Sequence, residues 1–286
     1  MDGPSPFVLV NGYRRSPAEG AISVFDRGFQ YGDGLFETLA VVGGRVRDLE
    51  AHLERLAQGA RVLGIPEPDR EALSRELAEA GAGLGPEQRG VLKVLYSRGP
   101  GGRGLAPPET PEPTRVVLRL PWPEHPPGWA REGVRVIHCR TRQVCGAALD
   151  GRIKHMNQLN HIVARMEWTD PGIAEGLLRD GSDRVIEGTV TNLFRVAGGA
   201  VETPRLDGSG LAGITRWRIL ELAAEAGLET REVDLRARDL RVADEVFLTS
   251  SLIGVWPVRE LDGEALRGAP GPVTRELQAA LERFYA

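Results

Sequence analysis

A short proline-rich segment constrains the fold of this chain more than any other feature of its sequence. It reads Pro121-Trp-Pro-Glu-His-Pro-Pro-Gly128, and three of its prolines fall within five residues. Proline fixes φ and lacks a backbone donor, so neither a helix nor a central strand continues through such a stretch. The chain has 286 residues, which is enough for two modest cores. We therefore predict an N-terminal domain over residues 1–120, a linker over 121–128 and a C-terminal domain over 129–286.

The hydrophobic pattern on both sides of this segment predicts strands mixed with helices, and hence an α+β protein. In the N-terminal part, Asn11-Gly12 and Gly43-Gly44 each follow an apolar run and indicate two-residue hairpin turns. The elements predicted after these hairpins are helices over Leu49–Leu63 and Asp69–Ala80 and strands over Val91–Tyr96 and Arg115–Leu120. Those predicted in the C-terminal part are strands over Val134–Cys139, Arg184–Ile186, Asn192–Val196 and Glu245–Thr249 and helices over Asn157–Trp168, Thr215–Ala226 and Val273–Tyr285.

The composition is that of an ordinary globular protein and argues against several classes of partner. The formal net charge is −4 with no long run of one sign, so we expect neither a nucleic-acid groove nor a membrane surface. No stretch approaches the roughly 18 apolar residues of a membrane span, and the N-terminus does not read as a secretory signal. Cys139 and Cys145 have no metal-ligand spacing and suggest no disulfide framework. We expect a cytoplasmic protein that acts on a small-molecule substrate.

Lysine is almost absent from a chain that is rich in arginine. Lysine and arginine total 36, and only Lys93 and Lys154 are lysines, which leaves 36 − 2 = 34 arginines. A lysine amine can lose its proton and form an imine, whereas a guanidinium group stays protonated and is no nucleophile. A lysine in such a background is either a chance survivor or a residue that arginine cannot replace.

Two segments are suited to a bound phosphate group, although each also fits ordinary turn chemistry. Gly210–Ile214 leads into the helix that begins near Thr215, and helix N-termini bind phosphate through free N–H groups. Thr215 is equally acceptable as a plain N-cap. The run Thr249-Ser250-Ser251 places hydroxyl groups at the end of a strand, where they suit either an anion or a turn.

Charged residues supply the remaining candidates, and each taken alone is also compatible with a solvated surface position. Arg55 lies beside the apolar stripe of its helix and can form a forked pair with phosphate. Glu187 follows a strand, where a carboxylate can keep a pyridine nitrogen protonated. Arg98 and Arg103 frame a glycine-rich loop that either holds a substrate carboxylate or is a flexible hairpin tip. Lys154 follows the polar loop Asp150-Gly-Arg-Ile and precedes a predicted helix.

The order of these motifs along the chain resembles that of the fold-type IV pyridoxal phosphate (PLP) enzymes. The similar blocks are Asp26–Thr38, His52–Leu56, Ile153–Asn157, Glu187–Phe194, Gly213–Thr215 and Ser250–Ser251. That family contains branched-chain aminotransferases, D-amino acid aminotransferases and 4-amino-4-deoxychorismate lyases, and the resemblance covers nearly the whole chain. It implies a smaller N-terminal α/β sandwich domain, a larger C-terminal barrel-like α/β domain and a homodimer with each active site near the subunit interface.

The resemblance also implies a cofactor and a role for each matching residue. Pyridoxal 5′-phosphate is expected as a Schiff base on the catalytic Lys154, with Glu187 beside its ring nitrogen. The other expected cofactor-binding residues are Arg55, Thr191, Asn192, Leu211, Gly213, Ile214, Thr215, Ser250 and Ser251. The expected substrate-binding residues are Phe36, Thr38, Arg98 and Arg103, and no metal is expected.

Two loops resemble those of the lyase branch of the family. Ser97–Gly104 matches the lyase pattern Ser-Arg-Gly-x-Gly-Gly-Arg-Gly throughout, and Ser251–Val258 is also similar. Phe36-Glu-Thr-Leu-Ala lacks the arginine that branched-chain enzymes usually carry, and Arg103-Gly-Leu lacks the histidine of the D-amino acid enzymes. Leu105 and Ser250 depart from the lyase pattern, which often has tyrosine and asparagine there.

The resemblance therefore implies a lyase that forms p-aminobenzoate and pyruvate for folate synthesis. A transaminase acting on D-amino acids or (R)-amines is the alternative, since it would share every cofactor residue. A third possibility is a non-catalytic binding protein on the same scaffold, for which loss of Lys154 or Glu187 would be expected; both residues are present.

Overall fold

The computed structural model of the protein describes residues 7–143 and 153–286, which form two compact units. Residues 7–124 with 153–157 make the N-terminal unit, and residues 125–143 with 158–286 make the C-terminal unit. The short segment that carries Lys154 thus groups with the N-terminal unit. Cys145 and residues 150–152 of the polar loop before Lys154 lie outside the described residues.

The N-terminal unit is built on one antiparallel sheet of six strands with order β2-β1-β6-β5-β3-β4. Its strands are β1 (Phe7–Val10), β2 (Tyr13–Arg15), β3 (Gly34–Val42), β4 (Arg45–Val46), β5 (Arg89–Ser97) and β6 (Thr114–Pro121). Its helices are α1 (Arg27–Tyr31), α2 (Leu49–Leu63) and α3 (Arg70–Gly81). Both predicted hairpin turns are confirmed. Asn11 and Gly12 have φ values of 49° and 81°, the left-handed pair that a tight two-residue turn between twisted strands requires.

One face of this sheet is covered by helices, and the other mixes apolar side chains such as Leu95 and Leu118 with the polar Thr38 and Lys93. Leu35 and Leu39 of β3 belong to the same buried cluster as Leu53 of α2 and Leu73 of α3. Side chains alternate between the two faces along a strand. Phe36 and Thr38 therefore lie on the face away from that cluster, and both are partly exposed.

The C-terminal unit contains a nine-stranded sheet that closes on itself. Its strands are β7 (Val134–Arg142), β8 (Ile173–Arg179), β9 (Val185–Gly188), β10 (Asn192–Ala197), β11 (Ala200–Pro204), β12 (Thr230–Val233), β13 (Glu245–Ser250), β14 (Gly254–Leu261) and β15 (Glu264–Ala265). The path β10-β13-β14-β7-β8-β9 is closed by a pairing of β9 with β10 through Glu187 and Asn192. This closure gives the barrel-like sheet that the family resemblance implies.

Helices also belong to the described part of this unit, and the longer ones pack against the sheet through apolar side chains. They are α4 (Trp129–Glu132), α5 (Leu159–Arg165), α6 (Ile214–Glu225), α7 (Ala237–Arg241) and α8 (Pro272–Tyr285). Ile219 of α6 and Leu277 of α8 are buried together with Phe194 and Phe247, whose rings stack 4.9 Å apart. No helix of the described residues is long and apolar enough to span a membrane.

The helix predicted over 157–168 is shorter in the structure, where it covers only Leu159–Arg165. Asn157 is withdrawn from it because its side-chain amide donates to the Gly32 carbonyl at 3.0 Å. At the other end, the Glu167 N–H donates to the Ala164 carbonyl at 3.0 Å in a turn, and the Glu167 carboxylate accepts from the Thr141 N–H of β7 at 2.7 Å. Strand β12 was not predicted from the sequence, because its four residues are mostly polar and exposed.

Candidate active site

Lys154 is fixed on the edge of β3 by backbone hydrogen bonds. The Phe36 N–H donates to the Lys154 carbonyl at 2.9 Å, and the Met156 N–H donates to the Gly34 carbonyl at 2.9 Å. The segment therefore adds a short antiparallel pairing to the sheet, with His155 opposite Leu35. The Lys154 side chain is half-buried, and its Nζ lies 4.5 Å from the centre of the Phe36 ring.

The second lysine of the chain lies at the same aromatic ring. Lys93 is directly opposite Thr38 in the register of β5 with β3, and its Nζ is 5.3 Å from the centre of the Phe36 ring. Both lysines thus lie where an aromatic face attracts a cation. Sequence reasoning gave Lys93 no role, although the scarcity of lysine applied to it as much as to Lys154. Phe36, predicted to bind substrate, is next to both amines, and Thr38, predicted for the same role, is opposite Lys93 in the register.

Arg55, predicted to bind phosphate, is buried on the helix-covered face of the sheet in an ion pair with Glu37. Its Nε and Nη2 donate to the two Glu37 oxygens at 2.8 and 2.6 Å, and His52 Nδ1 lies 2.7 Å from Glu37 Oε2. Burial opposes the charge of Glu37, but Arg55 and His52 outweigh it and lower the pKa of Glu37 to about 2. Arg55 is therefore held in one orientation by a partner that is ionised at neutral pH.

The two loop arginines occupy very different environments. Arg98 is buried; it donates to both Asp33 oxygens and to the Leu63 and Gly64 carbonyls at the end of α2. Arg103 is exposed and makes no hydrogen bond or ion pair with the described residues. Arg98 is thus placed to fasten the start of the loop, and Arg103 is the one free to meet a ligand.

In the C-terminal unit, Glu187, Leu211 and Asn192, all predicted to bind the cofactor, form one hydrogen-bonded group. The Leu211 N–H donates to Glu187 Oε2 at 2.9 Å, and its carbonyl accepts from Asn192 Nδ2 at 2.7 Å. The other Glu187 oxygen accepts from the Gln143 amide at 3.0 Å and lies 3.4 Å from His161 Nε2. Gln143 and His161 were not predicted, since nothing in their local sequence marks them as partners of a distant carboxylate.

The turn between Glu187 and Asn192 is shaped by a buried carboxylate that the sequence did not point to. Glu175 of β8 accepts hydrogen bonds from the Thr189 and Val190 N–H groups and from the hydroxyls of Thr189 and Thr191. Thr191, predicted to bind the cofactor, therefore donates its hydroxyl proton to Glu175 at 2.9 Å. Glu175 holds the turn in the shape that lets β9 pair with β10.

The start of α6 has the properties of a phosphate site. Gly213 is its N-cap and no side chain of the described residues caps it. Thr215 is 2% exposed, and its hydroxyl finds no hydrogen-bond partner among the described residues. A buried hydroxyl without a partner costs free energy, and a helix N-terminus favours an anion. The donor set at Ile214 and Thr215 therefore fits a phosphate-bearing cofactor.

The run Thr249-Ser250-Ser251 at the end of β13 is the second segment that the sequence predicted to suit a phosphate. Thr249 is fully buried, and its hydroxyl also lacks a partner among the described residues. Ser250 ends the strand, and Ser251 follows in a turn; both are partly exposed. Thr249 lies directly opposite Asn192 in the sheet register. The sequence identified the run, and Thr249 is its buried member because every residue of β13 from Glu245 to Thr249 is buried.

A comparison with protein families and curated proteins gives a consistent result. A profile for the family described as "Amino-transferase class IV" matches residues 34–261. A putative branched-chain-amino-acid aminotransferase of Methanocaldococcus jannaschii is 32% identical over 272 residues, covering 95% of this chain and 93% of the relative. An aminodeoxychorismate lyase of Vibrio harveyi is 34% identical over 263 residues, covering 90% and 94%.

Solved structures of similar fold include both lyases and aminotransferases. The crystal structure of 4-amino-4-deoxychorismate lyase from Pseudomonas aeruginosa matches with a TM-score of 0.89 and 43% identity, covering 96% of this chain and 98% of that one. A branched-chain amino acid aminotransferase from the organism abbreviated T.th., solved with pyridoxamine 5′-phosphate, matches with a TM-score of 0.86 and 26% identity, covering 98% and 94%.

Proposed function

Because the chain belongs to the class IV aminotransferase family, whose cofactor is pyridoxal 5′-phosphate, we propose that it is a 4-amino-4-deoxychorismate lyase. The reaction splits aminodeoxychorismate into p-aminobenzoate and pyruvate without a second substrate. The observation that carries the proposal is the 43% identity to a lyase structure over nearly the whole of both chains, against 26% to an aminotransferase structure of similar TM-score. The loop Ser97–Gly104, which follows the lyase pattern at every position, supports it independently.

We assign the cofactor to the residues that the sequence predicted for it. Lys154 Nζ would be the covalent attachment point, and Glu187 would hold the proton on the ring nitrogen. The phosphate is assigned to the start of α6, where the Thr215 hydroxyl and the Ile214 N–H are available, with Arg55, Ser250 and Ser251. Asn192 and Leu211 keep Glu187 in place through the hydrogen bonds that link all three. Thr191 and Gly213 contribute to the shape of the backbone around these groups.

Lys154 is also assigned the proton transfers. When bound, the cofactor withdraws electrons from the ring carbon that bears the substrate nitrogen, which makes the proton on that carbon acidic. The Nζ of Lys154 would accept that proton as a general base. The C–O bond to the enolpyruvyl group then breaks with its electron pair, and the Lys154 ammonium returns a proton, which completes pyruvate. The remaining ring becomes aromatic, and this makes the reaction strongly downhill.

The substrate carries two carboxylates, and cations on the N-terminal unit are suited to receive them. Arg103 is exposed on the glycine-rich loop, where a guanidinium group can form a forked pair with a carboxylate. Arg98 is proposed to act through the loop, because its donors are already directed at Asp33 and two carbonyls. Phe36 lies beside Lys154 and Lys93, with Thr38 opposite Lys93, and this face of the sheet supplies positive charge near the reacting amine.

A transaminase acting on D-amino acids or (R)-amines is the second candidate. It is favoured by the aminotransferases among the relatives, including the protein of Methanocaldococcus jannaschii, which covers 95% of this chain. It would use the same Lys154 and Glu187. The two functions differ in a simple way: a transaminase leaves the amino group on the cofactor and needs a keto acid to complete its cycle.

A homodimer and a cytoplasmic location complete the proposal. The N-terminal unit exposes Val24, Phe25 and Phe29, each more than 60% accessible, on one short stretch of chain. In the C-terminal unit, α5 exposes an apolar stripe at helical spacing, formed by Leu159, Ile162, Val163 and Met166. Apolar surface of this kind usually marks a protein interface. Sedimentation of the holoenzyme should give the mass of two chains.

The proposal is tested by incubating the PLP-loaded protein with aminodeoxychorismate as the only substrate. Formation of p-aminobenzoate and pyruvate in equal amounts, with no keto acid added, is the expected result. Product formation that depends on added keto acid, or no p-aminobenzoate at all, would exclude the lyase function.

A further inference from the structure

Arg27 lies in Asp26–Thr38, the first of the blocks that are similar to the family. Neither the sequence analysis nor the proposed reaction assigns a role to this residue. It is the first residue of α1 and is only 3% exposed. A buried arginine must satisfy five N–H donors and neutralise its charge, and this requirement makes its partners informative.

The partners of Arg27 are consecutive carbonyl groups of the glycine-rich loop. Nη1 donates to the Gly104 carbonyl at 3.0 Å and to the Ala106 carbonyl at 3.3 Å, and Nη2 donates to the Leu105 carbonyl at 3.0 Å. Three successive carbonyls directly after Arg103 therefore converge on one guanidinium group. Such a geometry fixes the path of the backbone on the C-terminal side of Arg103.

The same loop is also fastened at its beginning. Arg27 Nε donates to Asp33 Oδ2 at 2.8 Å, and Arg98 Nε donates to the same oxygen at 2.7 Å. The Arg27 N–H donates to the Gly99 carbonyl at 3.0 Å. Asp33 thus joins the two arginines that hold the two ends of the loop. Burial opposes ionisation of Asp33, but the hydrogen bonds from Arg98 and Arg27 outweigh it and hold its pKa below the ordinary value.

The loop itself has little means of keeping its shape. Four of the six residues from Gly99 to Gly104 are glycines, and Gly99 and Gly104 have φ values of 85° and 90°. Glycine has the largest conformational freedom of all residues, so an unrestrained loop of this composition would sample many backbone conformations. Arg103 would then meet a substrate only after the loop had been ordered, at a cost in affinity.

We propose that Arg27 is a positioning residue for substrate recognition: by binding the carbonyls of residues 104–106 it holds the exposed guanidinium of Arg103 ready for a substrate carboxylate. This inference rests on the proposed function for the identity of the substrate. The order of the loop does not depend on that identity, and so it can be measured separately. Arg27 acts through Arg103 and takes no part in cofactor binding.

The variant that tests this is Arg27→Met, with Arg27→Lys as its conservative counterpart. Methionine keeps the length of the apolar stem and removes the fork, and Asp33 remains paired with Arg98. Lysine keeps the charge but cannot reach three carbonyls in a fixed plane. Arg27→Lys should therefore restore part of what Arg27→Met loses, and it carries the test if Arg27→Met does not fold.

Limited trypsin digestion of the holoenzyme reports loop order without any substrate. Trypsin cuts after arginine, and the three residues that follow Arg103 are those whose carbonyls Arg27 holds. The exposed Arg267-Gly268 bond of the C-terminal unit is a matched internal control in the same sample. Cleavage at Arg103-Gly104 relative to this control should rise roughly tenfold in Arg27→Met, since a cut requires the loop to open locally.

Steady-state kinetics with aminodeoxychorismate supply the second readout. Arg27→Met should raise KM roughly tenfold, as expected for a weakened charge-assisted contact. The value of kcat and the visible absorbance of the bound cofactor should change little. Unchanged relative cleavage in a folded variant, or loss of the cofactor absorbance, would overturn the inference. Wild-type protein that fails to convert aminodeoxychorismate would instead contradict the proposed function, while the digestion still decides the role of Arg27.

Discussion

Among single residues, the two lysines of the chain show why a rare residue type is informative. Arginine has replaced lysine almost everywhere, yet both remaining amines lie within 5.3 Å of the centre of one phenylalanine ring. The amine of Lys154 is on a segment that backbone hydrogen bonds fix to β3, whereas Lys93 is within a central strand of the sheet. The reactivity of each amine toward the cofactor distinguishes the roles of the two lysines, and substitution of each lysine by arginine tests that reactivity.

The first prediction concerns the attachment of the cofactor. Borohydride reduction of the holoenzyme should label Lys154 and leave Lys93 unmodified. Lys154→Arg should abolish turnover, because a guanidinium group cannot form the covalent link or act as a base. Lys93→Arg is the matched control and should keep both the label on Lys154 and the bound cofactor. Peptide mapping decides the question, and a label found on Lys93 would refute the assignment.

The second prediction concerns Glu187, whose carboxylate accepts hydrogen bonds from the Leu211 N–H and the Gln143 amide. Asn192 supports this arrangement by donating to the Leu211 carbonyl. Glu187→Gln should retain the cofactor but lower kcat by roughly 10²-fold, since the ring nitrogen loses the anion that keeps it protonated. Glu264→Gln, at an exposed glutamate of the same unit, is the control and should leave kcat unchanged. Wild-type turnover in Glu187→Gln would remove this residue from its proposed role.

Among the helices and strands, two places bury a polar group that apolar packing does not explain. One is the start of α6, which buries a hydroxyl, and the other is the contact of α2 with β3, which buries a charge. Thr215 holds a buried hydroxyl without a partner among the described residues, and Glu37 buries a full charge between strand and helix. The first arrangement is costly unless a ligand completes it; the second is already complete with Arg55 and His52. Opposite effects of substitution on stability are therefore expected at the two sites.

The third prediction is that substitution of Thr215 has opposite effects on the stability of the apoprotein and on its affinity for PLP. Thr215→Val should leave the apoprotein as stable as wild type or raise its free energy of unfolding by up to about 1 kcal/mol, because an unsatisfied hydroxyl disappears. The same change should weaken PLP binding roughly tenfold through loss of a hydrogen bond to phosphate. Thr274→Val is the matched control, since that buried hydroxyl donates to Glu245 at 2.6 Å; it should destabilise the protein. A destabilised Thr215→Val apoprotein with normal PLP affinity would argue against the phosphate assignment.

The fourth prediction concerns the pH dependence of the Glu37 ion pair. Since folding lowers the pKa of Glu37 from 4.5 to about 2, its contribution to stability is present above pH 4.5 and is lost as the pH falls toward 2. Glu37→Gln should lose roughly 3 kcal/mol of unfolding free energy at neutral pH. In urea unfolding, the difference from wild type should stay constant between about pH 8 and 5.5 and shrink below about 4.5. A difference that already shrinks between about pH 7 and 6 would point to a histidine as the titrating group.

For the molecule as a whole, local patterns predicted most elements, whereas long-range pairings were beyond them. Periodicity predicted α2 over Leu49–Leu63 and the two hairpin turns, because these depend on neighbouring residues. The closure of the barrel through Glu187 and Asn192 came only from the family resemblance. Strand β12 escaped prediction because it is short and polar and pairs only along one edge with β11.

In the candidate site, the residues that stand in motifs could be predicted from the sequence, whereas the residues that support them are known only from the fold. Lys154, Glu187 and Thr215 stand in motifs whose order was sufficient to predict a PLP enzyme, and the family comparison confirms that cofactor. Residues that support them escaped prediction, because Glu175, Arg27 and Gln143 act across strand pairings or between distant loops. A side chain that only holds another side chain in place belongs to no local sequence motif by which it could be recognised.

Whether this molecule is a lyase is decided by rapid mixing of the PLP-loaded enzyme with two substrates separately. With aminodeoxychorismate alone, we expect many turnovers of p-aminobenzoate per active site while the cofactor remains in its aldehyde form. With D-alanine, we expect slow conversion of the cofactor to its aminated form or none, because Leu105 is apolar where the D-amino acid enzymes place a histidine. Rapid amination of the cofactor by D-alanine, with aminodeoxychorismate left unchanged, would refute the lyase function and establish a transaminase in its place.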